Sequence, residues 1–146
     1  NSPLLGKAAI ANTKLAYVEF QKVFGREEFS YLQKAGCQIQ RPLWASTSTK
    51  NPAYKDTLYI DELIGPHTVN TVPPATLDAF RGHGKASLSL TQDIDASINV
   101  MKDLELEGIF INDVTKELEA EGVKAFQDAF TSLIDSIDKR RNQIIN

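Results

Sequence analysis

Cysteine is nearly absent. Cys37 is the only one in 146 residues, so no internal disulfide can form and the chain suits a reducing compartment. No basic cluster surrounds Cys37 to favour a thiolate, and its place after Gly36 reads as a buried small hydrophobe. Histidine is almost as scarce: His67 and His83 are the only two. Neither stands at metal-ligand spacing from a cysteine or carboxylate, so both read as solvated loop residues and no metal is expected. No apolar run approaches the length of a membrane span. The segment Asn1-Ser2-Pro3-Leu4-Leu5-Gly6 lacks a charged stretch leading into an apolar one, so no signal peptide is expected and the cytoplasm is the expected location. No basic stripe with interleaved aromatics is present, which argues against a nucleic-acid partner. Glycine-rich phosphate motifs and the GxSxG nucleophile elbow are missing too.

What is there is ordinary for a globular chain: 42% hydrophobic residues, 24% charged and a net charge of −3. The charge is unevenly spread. Residues 93–121 hold nine acidic side chains against Lys102 and Lys116, whereas residues 1–92 carry ten basic and seven acidic. The acidic block sits in a helical pattern and reads as solvated faces, and the chain's acidic pairs, such as Asp61-Glu62, read as surface charge.

Ser2-Pro3 predicts the cap and first turn of a helix running through Ala8, Ala11, Leu15 and Val18 to Phe24-Gly25. A second short helix fits Arg26 to Ala35, with Phe29 and Leu32 inward. Gln38 to Ala45 reads as extended, with Pro42 tolerable near a strand start. The polar loop Ser46-Thr47-Ser48-Thr49-Lys50-Asn51-Pro52 follows. Asp56 is placed to cap a helix through Leu58, Tyr59, Leu63 and Ile64, stopped by Gly65-Pro66. A second strand spans Thr68 to Val72, and Pro74 opens a helix over Ala75–Phe80. Strand, loop, helix, strand, loop, helix is the order of a parallel α/β sheet. From Thr91, read as a cap, the pattern is helical. One segment carries Ile94, Ile98, Met101 and Leu104 and breaks at Gly108. A longer one starts at Asn112 or Asp113, with a stripe of Val114, Leu118, Val123, Phe126, Phe130, Leu133 and Ile137. Lys139-Arg140-Arg141 falls in its final turns, where cations complement the helix dipole.

Two parallel strands leave two bare edges, so the sequence reads as part of a larger sheet. A (β/α)₈ barrel needs about 250 residues, and this chain would supply its last two βα units plus a helical appendix. Isolated, it is expected to be partly molten or self-associated.

The loop after the first strand is the most informative local feature, because α/β barrels place binding loops there. Ser46, Ser48 and Thr49 offer donors, and Lys50 a charge suited to phosphate. On composition alone the same stretch is also simply a turn. A Schiff-base lysine needs an apolar strand setting that lowers its pKa, and every lysine here falls on a helix or in a loop.

Arg41-Pro42-Leu43-Trp44-Ala45-Ser46-Thr47-Ser48-Thr49-Lys50-Asn51-Pro52-Ala53-Tyr54 resembles the seventh barrel strand and following loop of the transaldolases. Thr68-Val69-Asn70-Thr71-Val72-Pro73-Pro74-Ala75-Thr76 resembles their eighth strand and the start of the helix after it. Gly6 to Asn12 is similar to the sixth helix, and Glu119 to Phe126 to the terminal one. The long-subunit branch of plants, cyanobacteria and actinobacteria is the nearest in pattern. The resemblance implies a (β/α)₈ TIM-type barrel, here divided as a barrel portion over 1–88 and a helical extension over 89–146. It implies transfer of a dihydroxyacetone unit between sugar phosphates through a Schiff base, in the pentose phosphate pathway, with no metal or organic cofactor. Ser46 then matches a phosphate-holding serine, with Lys50 and Ser48 supplying further contacts. The Schiff-base lysine and the acid/base carboxylates would lie upstream, so this chain alone is expected to be inactive and an N-terminal transaldolase segment is the expected partner. A plastid location follows if the source is a plant. A non-catalytic paralogue binding phosphate or a protein is the alternative.

Overall fold

The computed structural model describes residues 2–145. The chain forms two compact units, the first ending at Leu104 and the second beginning at Glu105.

The first unit is built on helix α1 (Ala8–Phe24). Ser2-Pro3 does not open it. Ser2 Oγ accepts from the Leu4 amide at 3.2 Å, Lys7 N bonds Leu4 O at 3.0 Å, and the chain turns at Gly6 with φ +77° before the helix starts. Glycine is required at that turn twice over. Its φ is left-handed, and a Cβ there would stand 3.2 Å from the Tyr54 ring. Along α1, the rings of Tyr17, Phe20 and Phe24 stack at 5.5 and 5.1 Å between centroids. Phe24 then meets Phe29 of α2 (Glu27–Lys34) edge-on at 4.7 Å, which seats Phe29 as expected. Leu32, expected inward, is 46% exposed, since no element among the described residues covers it. Cys37, expected buried, is free and exposed, in the irregular stretch that follows α2.

The two strands are shorter than their sequence patterns. Strand β1 is Leu43–Trp44 and β2 is Val69–Asn70. They pair in parallel, Leu43 with Val69 and Trp44 with Asn70. Val69 N donates to Pro42 O at 2.9 Å and Thr71 N to Trp44 O at 3.0 Å. The flanking residues have no strand to pair with among the described residues, so the ladder stops there. Between the strands lies the short helix α3 (Leu58–Glu62). After β2 comes α4 (Pro74–His83), with Pro74 in its first turn as predicted. The result is an α/β fragment with two parallel strands.

Tyr17, Leu63 and Leu90 form the centre of the core, with Ile10, Phe20, Trp44 and Tyr59 packed around it. The residues after α4 strap back over α3: Ser89 N and Leu90 N both donate to Ile64 O, at 3.1 and 3.0 Å. Gly65 permits this closeness, since a Cβ there would sit 2.7 Å from Leu90 Cδ2. The Tyr17 hydroxyl donates to Pro66 O at 3.0 Å, and burial raises its pKa above the usual phenol value. Beside it Lys14, 4% exposed, donates to Glu62 Oε2 at 3.1 Å and to Gln92 O at 3.3 Å.

Two expected caps are replaced. Asp56 does not cap α3, whose N-cap is Thr57; its carboxylate instead bonds the His83 ring nitrogen at 2.7 Å. His83 is solvated as expected, its side chain 53% exposed, but it is the paired last residue of α4 and not a loop residue, whereas His67 is exposed in a turn. Thr91 precedes α5 (Ile94–Leu106) without capping it, and the Asp93 carbonyl accepts the first helical bond from Ser97 N at 3.0 Å.

The second unit is dominated by α6 (Ile111–Ile145), a single helix of 35 residues entered after Gly108 at φ +80°. Its apolar stripe is exposed from Leu118 to Ile137, and Val114 is half-buried. Lys139-Arg140-Arg141 lies one turn short of its end, so no cation stands in the last turn itself.

Candidate functional site

A cleft of about 560 Å³ opens at the carboxyl end of β1. Ser46, Ser48 and Lys50, the three residues singled out in the sequence, all line it. Ala9 and Thr13 of α1 form one wall, and Tyr54, Tyr59 and Leu63 another.

Local hydrogen bonds shape the loop. Thr47, 3% exposed, donates its hydroxyl to Asn70 Oδ1 at 2.8 Å, pinning the loop to β2. Asn51 Oδ1 accepts from Ala53 N at 2.9 Å, and Tyr54 N bonds Asn51 O at 3.1 Å, closing a turn beyond Lys50. Thr47 and Asn70 carried no mark in the sequence that set them apart from neighbouring hydroxyls and amides. Their role depends on the parallel register that brings the end of β1 beside β2.

Ser46 has φ +56°. That single left-handed residue ends the two-residue alternation of a strand. Trp44 packs on the helix side, against the Tyr17–Leu63–Leu90 core. Leu43, the next residue back along the strand, is 53% exposed. The orientation of Ser46 is thus set by its own backbone turn and not by sharing a face with Trp44, as strand alternation would have had it. Ser46 is exposed and Ser48 half-buried, and Lys50 Nζ donates to Ser48 Oγ at 2.8 Å. Of the side chains lining the cleft, Lys50 carries the charge. Two hydroxyls and one ammonium around an open cleft are the donors an anion such as a phosphate ester accepts from. The Trp44 indole nitrogen, in the wall below, is buried without a hydrogen-bond partner among the described residues.

A second cluster lies outside this cleft. Asp61 accepts from Lys55 Nζ at 2.6 Å, from the Thr57 hydroxyl at 2.8 Å and from the Lys85 amide at 2.8 Å. Burial pushes its pKa up, but these bonds together hold it below the usual carboxylate range. The bond from His83, chiefly, holds Asp56 down as well. These contacts tie the start of α3 to the end of α4. Neither strand carries a lysine, and buried Lys14 is on α1. No group of three or more His, Cys, Asp or Glu that could hold a metal occurs among the described residues. No helix there is long and apolar enough to cross a membrane.

Residues 2–137 match the model of the Transaldolase/Fructose-6-phosphate aldolase family. The chain belongs to the transaldolase family. A transaldolase of Trichodesmium erythraeum is 46% identical over 137 residues, covering 92% of this chain and 36% of the relative. One from a Parafrankia species is 47% identical over 135 residues, covering 92% of this chain and 37% of its own length. One from Neisseria meningitidis is 46% identical over 131 residues, covering 90% and 37% respectively. The chain therefore spans little more than a third of the transaldolases it matches.

Proposed function

We propose that this chain is the C-terminal part of a transaldolase, and that the cleft at the end of β1 holds a phosphate group of its sugar-phosphate substrates. In this reading β1 and β2 are the last two strands of a (β/α)₈ barrel, residues 1–88 belong to the barrel and 89–146 form its helical extension. A partner segment, N-terminal in the family, adds the remaining strands, the Schiff-base lysine and the acid/base carboxylates. The assembled enzyme transfers a dihydroxyacetone unit between sugar phosphates in the cytoplasm, or in a plastid if the source is a plant.

The observation that carries the reading is the convergence of Ser46, Ser48 and Lys50 on one cleft beyond a parallel strand, the end of such strands where barrels bind phosphate. One feature supports the need for more chain: among the described residues each strand has one bare edge.

The test is Lys50→Met and Ser46→Ala in the complete enzyme, comparing phosphorylated acceptors with glyceraldehyde. A hydrogen bond to a charged group contributes about 1.5–3 kcal/mol. Loss of Lys50 should therefore lower kcat/KM for phosphorylated acceptors on the order of tenfold to a hundredfold and change glyceraldehyde little. Equal losses on both acceptors would remove the phosphate role.

A further inference from the structure

The loop that carries Ser46, Ser48 and Lys50 is held by a bond that none of the three makes. Thr47, between the two serines, is 3% exposed and donates its hydroxyl to Asn70 Oδ1 at 2.8 Å. Asn70 is the last residue of β2 and stands opposite Trp44 in the parallel register, three positions before Thr47. The chain must therefore leave the line of β1 to reach it, and Ser46, at φ +56°, is where it does so. The turn at Ser46 and the hook at Thr47 are two halves of one arrangement. A residue stays in a strained backbone region only where its surroundings hold it there, and the Thr47–Asn70 bond is that hold.

The main chain does little of this work. Thr71 N donates to Trp44 O at 3.0 Å, and the next backbone bond along the loop, among the described residues, is Tyr54 N to Asn51 O at 3.1 Å. Between the two, Thr47 is the side chain that ties the loop to another element. Ser48 follows it directly and accepts from Lys50 Nζ at 2.8 Å. The anchor thus passes from β2 through Asn70 and Thr47 to the ammonium of the cleft. Lys50 is exposed, and an ammonium on a free stem gives up rotamer freedom when it meets a phosphate. A loop held beforehand has already lost part of that freedom when the substrate arrives.

We propose that Thr47 and Asn70 are positioning residues for phosphate recognition, and that their bond presets Ser46, Ser48 and Lys50 around the phosphate group without touching it. This rests on the reading of the cleft as the phosphate site. It places part of the site's selectivity on Asn70, a residue of the neighbouring strand that is not among those lining the cleft.

The experiment is Thr47→Val in the complete enzyme. KM and kcat are measured for phosphorylated acceptors and for glyceraldehyde, and inorganic phosphate is titrated as a competitive inhibitor. Valine keeps the shape of the side chain and removes the hydroxyl. The net contribution of one hydrogen bond corresponds to about threefold to tenfold. KM for phosphorylated acceptors and the inhibition constant of phosphate should rise by that factor while kcat holds, and the constants for glyceraldehyde should move far less. Thr47→Ser retains the hydroxyl and should restore the native values. Asn70→Ala removes the same bond from the other strand and carries the same expectation where the valine variant does not fold. Added to Ser46→Ala/Lys50→Met, Thr47→Val should cost phosphorylated acceptors nothing more, whereas a bond that only supports the fold would still cost. Lys50→Met alone, run alongside, separates the two readings. A phosphate-selective loss in Lys50→Met but in neither Thr47→Val nor Asn70→Ala overturns the positioning role alone. No selective loss in Lys50→Met overturns the phosphate reading and the positioning role with it. Equal losses on both acceptor types in Thr47→Val, or a serine variant that behaves like the valine one, assign the bond to the fold and overturn the proposal too.

Discussion

Lys14 sits on α1 with only 5% of its side chain exposed, while its partner Glu62 keeps 43% in solvent. That asymmetry predicts different costs for breaking the pair from either end. Lys14→Met keeps most of the buried stem and removes the charge. Glu62 then turns to water, and the remaining loss is the unpaired Gln92 carbonyl, about 1 kcal/mol. Lys14→Ala also empties the space of three methylenes at about 0.8 kcal/mol each, giving about 3 kcal/mol in total. Glu62→Gln leaves a buried ammonium facing a neutral amide. Fully buried pairs lose about 3–5 kcal/mol when one partner goes, and the solvent around Glu62 reduces this to about 2 kcal/mol. The order is therefore alanine, then Glu62→Gln, then methionine, read as shifts in urea midpoint at constant slope. Equal destabilisation by Lys14→Met and Lys14→Ala would refute the reasoning, because it would put the whole contribution in the charge and none in the stem. A Glu62→Gln variant as stable as the native chain would refute it from the other side.

Two further predictions follow from groups already described. Asp61 has a folded pKa below its ordinary 3.8, so its contribution is present above that value and is lost as pH falls through the lower folded one. Asp61→Asn should flatten the acid limb of the stability profile below about pH 4, and a variant whose acid unfolding still tracks the native curve would contradict this. Borohydride treatment of the isolated chain with fructose 6-phosphate should add no mass to any lysine, because neither strand carries one; an adduct on Lys14 or any other would overturn the placement of the covalent chemistry in the partner segment.

The order of elements was legible from periodicity, and so were the limits set by Gly25, Gly108 and Pro74. The apolar stripe of α6 was visible as well. What was not legible depended on contacts distant in sequence. Strand length was overestimated because a β pattern states which residues can pair, not whether a partner is present for each. Asp56 resembled a cap until the end of α4 brought His83 to it. Lys14 looked like any helical lysine, since its burial comes from Glu62, 48 residues on, and Gln92, 78 residues on. The cleft itself was legible in its polar residues, because Ser46, Ser48 and Lys50 are close in sequence. Its anchor was not, because the Thr47–Asn70 bond spans 23 residues.

The left-handed backbone at Ser46 restricts what can replace it. That conformation costs an ordinary side chain about 1–2 kcal/mol. Glycine would relieve the backbone but delete the hydroxyl. Asparagine and aspartate tolerate the geometry but carry their polar atoms one bond farther from the chain. Threonine and valine add bulk at Cβ and worsen the strain. No substitution improves the turn while leaving a hydroxyl at the same place, so the position trades comfort of the main chain for the reach of one oxygen atom.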